Sequence, residues 1–157
     1  MKIELLADYF QFYLQDDDQS LGLLADAWSK DATNRLRIAV APGIVGVQTA
    51  RNDRLVVEVE VTPTEPPLAT ESWAHVVEAD LLCATGRIVI AGCSDYFPDA
   101  RRLRVDAGAY RVRVLFGYGS PATDSIGDLM RYRVELWPTA QAGQTAVLKA
   151  GPAVWAG

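Results

Sequence analysis

The sequence predicts an all-β fold, a two-layer antiparallel β-sandwich of about eight or nine strands with one short helix near residues 29–39. Three observations predict it. Apolar and polar residues alternate along residues 54–61, 110–116 and 131–137, the period of a strand with one buried face. Turn residues punctuate these runs at Asn52-Asp53, Ala84-Thr85-Gly86 and Asp106-Ala107-Gly108. Residues 87–93 are almost uniformly apolar, as a central strand covered on both sides would be.

Taken in order, residues 2–14 read as one bent strand or two short ones. Ile3 and Leu5 share a face, but the apolar parity changes near Asp8 to that of Phe10, Phe12 and Leu14. A bulge, or a strand that crosses between sheets, accounts for the change. Residues 15–20 carry Asp16, Asp17 and Asp18 in a row and read as an acidic loop. Residues 21–28 are ambiguous. Ser29 can cap a helix whose apolar stripe is Ala32, Leu36 and Ala39, with Asp31 complementing its positive end and Pro42-Gly43 stopping it.

Residues 44–50 form a short strand. In the strand at 54–61, Leu55, Val57, Val59 and Val61 face inward and Glu58 and Glu60 outward. The prolines of residues 62–69 forbid a central strand there. Residues 75–83 and 87–93 follow as consecutive strands, with Ala84-Thr85-Gly86 a plausible hairpin loop between them. Asp106-Ala107-Gly108 is a second such loop, with Gly108 free to take positive φ. At residues 110–116, Tyr110, Val112, Val114 and Phe116 face the core and Arg111 and Arg113 face out. If residues 131–137 pair with this strand, Arg131 and Arg133 could meet Arg111 and Arg113. Either carboxylates such as Glu135 intervene, or the arginine face meets an acidic partner. A long Gly/Ser/Pro/Asp loop spans residues 117–127. Residues 138–157 are an edge strand at 146–149 or a frayed tail of a single domain running from 1 to 157.

Charge and composition narrow the function classes. The net charge of −5 argues against general nucleic-acid binding, which needs clustered positive charge. The charge is uneven: residues 1–30 hold six acids against two lysines, and residues 99–133 hold seven arginines against four aspartates. No apolar run is long enough to span a bilayer as a helix, and the N-terminus lacks the pattern of a signal peptide, so the expectation is a cytoplasmic protein with no membrane role. Cys83 and Cys93 are expected to be reduced, and without a CxxC pair zinc has no support.

No catalytic motif stands out, and no cofactor is expected. His75 is the only histidine, and no G-x-S-x-G elbow accompanies it. Its bland reading is a histidine at the start of a strand, making ordinary hydrogen bonds. Asp16, Asp17 and Asp18 could bind calcium, although the spacing does not fit an EF-hand. The better candidate surface is the loop at residues 94–102, where Asp95, Tyr96, Phe97, Asp99 and Arg101 set aromatics among charges. With Asp16 to Asp18 these are the candidate partner-binding residues.

The stretch from Asp26 to Asp53 resembles the competence protein J family, small bacterial inhibitors of a DNA-entry nuclease. The similarity lies in Trp28-Ser29, Asp31, a Gly-containing strand and Arg51-Asn52. The Gly-x-Tyr start at Gly108 and the aromatic strand of Tyr9 to Tyr13 add to it. It spans residues 5 to 117, and the chain departs from the family in its longer C-terminal half and its SDYFPDAR loop. The resemblance implies a non-enzymatic, all-β inhibitor or immunity-type partner of a nuclease or toxin. A calcium-dependent module for lipid or carbohydrate and an enzyme of unknown type are the alternatives.

Overall fold

The computed structural model describes residues 1–18, 24–118 and 131–151. The end of the acidic loop, most of the long loop after Gly117 and the last six residues therefore lie outside the described residues. The described chain is mostly strand and forms two sheets, with eleven strands rather than eight or nine. They are β1 (Lys2–Leu6), β2 (Gln11–Asp16), β3 (Ile38–Ala41), β4 (Ile44–Gln48), β5 (Arg54–Val61), β6 (His75–Cys83), β7 (Arg87–Gly92), β8 (Arg101–Arg104), β9 (Gly108–Gly117), β10 (Arg131–Pro138) and β11 (Ala146–Lys149).

One sheet has six strands in the order β1-β5-β10-β9-β6-β11, and the other has five in the order β3-β4-β2-β7-β8. β10 runs parallel to β5, and the other pairs are antiparallel. Both sheets turn apolar residues into one shared core. The five-stranded sheet gives Phe12, Leu14, Val45, Ile88 and Ile90, and the six-stranded sheet gives Val57, Val77, Val112, Val134 and Leu136. Phe12 meets Tyr132 edge to face at 5.9 Å between ring centres, and Tyr132 meets Phe116 at 5.8 Å. Such ring pairs are worth about 0.5–1.5 kcal/mol each beyond the area they bury.

The parity change near Asp8 is a crossing. β1 belongs to one sheet and β2 to the other, and the chain turns between them through Asp8–Phe10. Tyr9 and Phe10 take φ of 56° and 59°, the left-handed region that side chains with a Cβ rarely occupy. Two expected hairpins are crossings too. β6 and β7 lie in different sheets, as do β8 and β9, so residues 84–86 and 105–107 bridge the layers. Gly86 has φ of 74°, and a Cβ there would lie 2.9 Å from the Val105 oxygen.

The expected helix is shorter than residues 29–39. A helical segment of wide, π-type turns covers Ala32–Leu36. The Ser29 hydroxyl accepts from the Ala32 amide at 3.1 Å, as its capping role required. Arg37 then turns left-handed at φ 62°, and Ala39 belongs to β3 instead. A four-residue helix, α1 (Leu24–Ala27), packs near β3 and β4. Its Leu24 and the ring of Trp28 lie 3.0 Å from where a Cβ on Gly46 would stand, so a side chain there would have to push both aside. β5 departs at its end, where Val61 is exposed rather than inward.

The arginine face is settled by register. Glu135, not an arginine, stands opposite Arg113 on β10, while Glu78 stands opposite it on β6. Arg113 is buried and bonds Glu78 at 2.8 Å, Glu135 at 3.1 Å and Glu65 at 2.9 Å, and its guanidinium lies over the Trp137 ring. Arg111 pairs with Glu78 and Asp80, and Arg133 with Glu58, Glu60 and Glu135. Carboxylates therefore intervene throughout, and this face of the sheet carries its own counter-charges.

Candidate functional site

The acidic run does not act as one unit. Asp16 ends β2 with its carboxylate buried. Its Oδ1 accepts from the Thr85 hydroxyl at 2.7 Å, the Thr85 amide at 3.1 Å and the Cys83 thiol at 3.4 Å. Burial pushes its pKa up, but these bonds outweigh that and hold the carboxyl below its ordinary value. Burial, then the thiol's hydrogen bond to Asp16 and that carboxylate's charge, push the Cys83 thiol up to about 11. Asp16 thus ties β2 to the chain crossing between β6 and β7.

Asp17 points the other way. Its carboxylate takes Arg87 at 2.8 Å and Arg102 at 3.1 Å, and these bonds lower its pKa. Asp18 is exposed. Two of the three carboxylates are therefore engaged within the chain. Among the described residues, no group of three or more His, Cys, Asp or Glu side chains is arranged to hold a metal ion.

The second candidate loop is joined to the first by Arg102, a residue outside the candidate set. Its guanidinium bonds Asp17, lies 5.1 Å from the centre of the Phe97 ring, and donates to the carbonyls of Pro98 and Ala100. The signal for it lay in the sequence, since three arginines occur in the four residues of β8, but their faces were not readable without the register. Phe97-Pro98-Asp99 forms one 3₁₀ turn. Asp95 bonds the Gly92 amide at 2.8 Å and fixes the turn out of β7. Asp95, Tyr96, Asp99 and Arg101 then line one groove of about 370 Å³ against Lys2–Leu5 of β1. Tyr96 is 72% exposed. The structure thus brings four of the candidates into a single groove, with Phe97 and Asp17 held beside it through Arg102 and Asp16 turned inward.

His75 offers no chemistry at a surface. It is buried, its ring meets Phe116 edge to face, its Nδ1 accepts the Gly151 amide at 3.1 Å, and its Nε2 lies 3.0 Å from the Leu36 carbonyl. One ring nitrogen must accept and the other donate, so the imidazole is neutral with its proton on Nε2. Burial lowers its pKa to about 4, and the nearby Arg37 charge adds to the effect against the Leu36 bond. Arg37 is itself buried. Its Nη2 donates to the Gly151 carbonyl, and its Nη1 has no hydrogen-bond partner among the described residues. Cys83 is buried and Cys93 exposed, both as free thiols.

No family model matches the chain, and no curated protein matches it in sequence. Two solved structures are similar to it. One is ComJ from Bacillus subtilis, an inhibitor of the DNA-degrading activity of NucA, at 17% identity with a TM-score of 0.63. That match covers 88% of this chain and 96% of ComJ. The other is the crocagin biosynthetic gene J protein, at 16% identity with a TM-score of 0.60, covering 87% of this chain and 95% of that protein. The resemblance to competence protein J read from residues 5 to 117 is therefore a likeness of fold, and it extends over most of the chain.

Proposed function

We propose that this chain is a two-layer β-sandwich binding module without catalysis of its own, an inhibitor or immunity-type partner of a nuclease or toxin. The observation that carries the reading is the match to ComJ over nearly the whole of both chains. The site geometry supports it. The lone histidine is locked as a neutral structural group, while exposed Asp18, Tyr96, Asp99 and Arg101 offer mixed aromatic and charged contacts of the kind that anchor protein partners. In this reading Asp16 and Asp17 shape the surface, Asp95 and Phe97 set the loop, and the four exposed residues make the contacts. The acidic excess speeds encounter with a basic, DNA-handling partner.

The test is to immobilise the full chain, capture proteins from the native host, and assay the captured fraction for DNA degradation with and without added free chain. The expected result is a captured DNA-degrading activity that falls in proportion to added chain. The association rate should drop several-fold in an Asp18→Asn, Asp99→Asn double variant. Nuclease or toxin activity left untouched by excess chain would sink the reading.

A further inference from the structure

We propose that the outer edge of β8 receives an extended, acidic segment of a protein partner as an added strand. β8 is the last strand of the five-stranded sheet, and among the described residues nothing pairs with its far side. Val105 donates to the Gly86 carbonyl at 2.9 Å, in register with the Leu103–Ile88 and Arg101–Ile90 pairs. Bonding alternates along an antiparallel pair, so Arg101 and Leu103 spend their amides and carbonyls on β7. Arg102 and Arg104 therefore point theirs outward.

The opposite wall is built to match. Met1 and Val59 exchange both backbone bonds, so by the same alternation Val61 presents its amide and carbonyl just past the end of β1. Cavities of about 400 and 420 Å³ lie along this seam between the two sheets and share Val61 and Arg104. Val61 is 41% exposed and Leu103 forms the floor.

Charge selects the occupant. Arg104, which lines both cavities, and Arg101 beside them are exposed and make no ion pair among the described residues. Arg102 is held by Asp17, and of the two carboxylates in the cavity walls Glu60 is held by Arg133, which leaves Asp106 at the far end. Arginines at an edge repel a second copy of the same edge, since β8 against β8 would set arginine beside arginine. They admit a strand whose carboxylates fall over Arg104 and whose apolar residues fall over Leu103 and Val61. This is strand addition, with main-chain bonds giving affinity and alternate side chains giving selectivity.

The test uses the full chain and two synthetic seven-residue peptides, Glu-Val-Glu-Val-Glu-Val-Glu and its Lys-for-Glu counterpart, both blocked at their ends. Binding is followed by fluorescence anisotropy and by amide NMR. The acidic peptide is expected to bind and the basic one not. The Arg102 and Arg104 amides should shift and exchange at least tenfold more slowly. Arg104→Glu, checked by its amide spectrum for an intact fold, should weaken binding at least tenfold. Arg104→Pro removes the outward amide and should weaken it further than Arg104→Ala.

No binding at millimolar peptide, equal binding of both peptides, or shifts confined to another surface would overturn the proposal. So would concentration-dependent dimerisation that protects the same amides without peptide, since the occupant would then be a second copy. The inference stands apart from the inhibitor reading: peptide binding without nuclease inhibition, or the reverse, separates the two.

Discussion

The Gly151 amide donates to Nδ1 of His75 at 3.1 Å, pinning the chain just beyond β11 to the first residue of β6. A Cβ on Gly151 would stand 2.5 Å from the Ala74 oxygen, so only glycine lets the backbone come this close. The bond needs an unprotonated Nδ1.

Stability should therefore fall in mild acid. His75 has a folded pKa of about 4 against an ordinary 6.5, so between these values the unfolded chain holds a proton that the folded chain lacks. Its contribution is whole above pH 6.5 and is lost as pH falls toward 4, a loss of about 3 kcal/mol at most. Urea unfolding at pH steps from 7 to 4 measures it, and in His75→Gln that part of the slope should vanish. Asp16 and Asp17, with lowered pKa values, lose their contribution only in stronger acid, as pH falls through those lowered values.

Asp16 and Asp18 should separate sharply under mutation. Asp16→Ala strips four donors of their acceptor, the Cys83 thiol, the Thr85 hydroxyl and the Thr85 and Asp18 amides, and should cost about 2–3 kcal/mol. Asp18→Ala should change stability by no more than about 0.5 kcal/mol. Thermal melts of the two variants decide it, and equal losses would contradict the placement of Asp16.

Arg113 stands between two buried carboxylates. Arg113→Met should cost about 3 kcal/mol, because Glu78 and Glu135 each lose one of two arginine partners and are left with Arg111 and Arg133 alone. Changing Glu78 and Glu135 to Gln in the same chain should recover much of that loss. Chemical denaturation of the single and triple variants checks both statements.

The two thiols should differ in reactivity. Cys93 is exposed and Cys83 buried, with the Cys83 pKa raised to about 11. A thiol reagent at neutral pH should modify one cysteine in the native chain and two in denaturant.

Strand identity was legible because period-two alternation is a local property. Tyr110 to Phe116 and Tyr132 to Leu136 bury the faces their sequence assigns, and the change of parity near Asp8 marks the crossing between sheets. Sheet membership was not legible. Ala84-Thr85-Gly86 has the composition of a hairpin loop, yet what holds it as a crossing is the distant Asp16 carboxylate and the Val105 amide, which donates to the Gly86 carbonyl. The helix expected through Ala39 stops early because Arg37 turns left-handed, held by the Ala32 carbonyl and by its own carbonyl accepting from Gln48. Of the surface candidates, the SDYFPDAR loop was visible as composition. The burial of Asp16 and the linking role of Arg102 depend on tertiary partners that no local pattern encodes.

The place of β10 carries a consequence for synthesis. Within the six-stranded sheet, β1-β5 touches β9-β6 only through β10, one of the last strands in the chain. A nascent chain emerging as far as residue 118 holds two half-sheets whose facing edges have no shared neighbour, and those edges stay open to other chains until residues 131–138 leave the ribosome. Chains halted at 118 should be caught by holdase chaperones and cut readily by proteases, and the extension to 138 should end both.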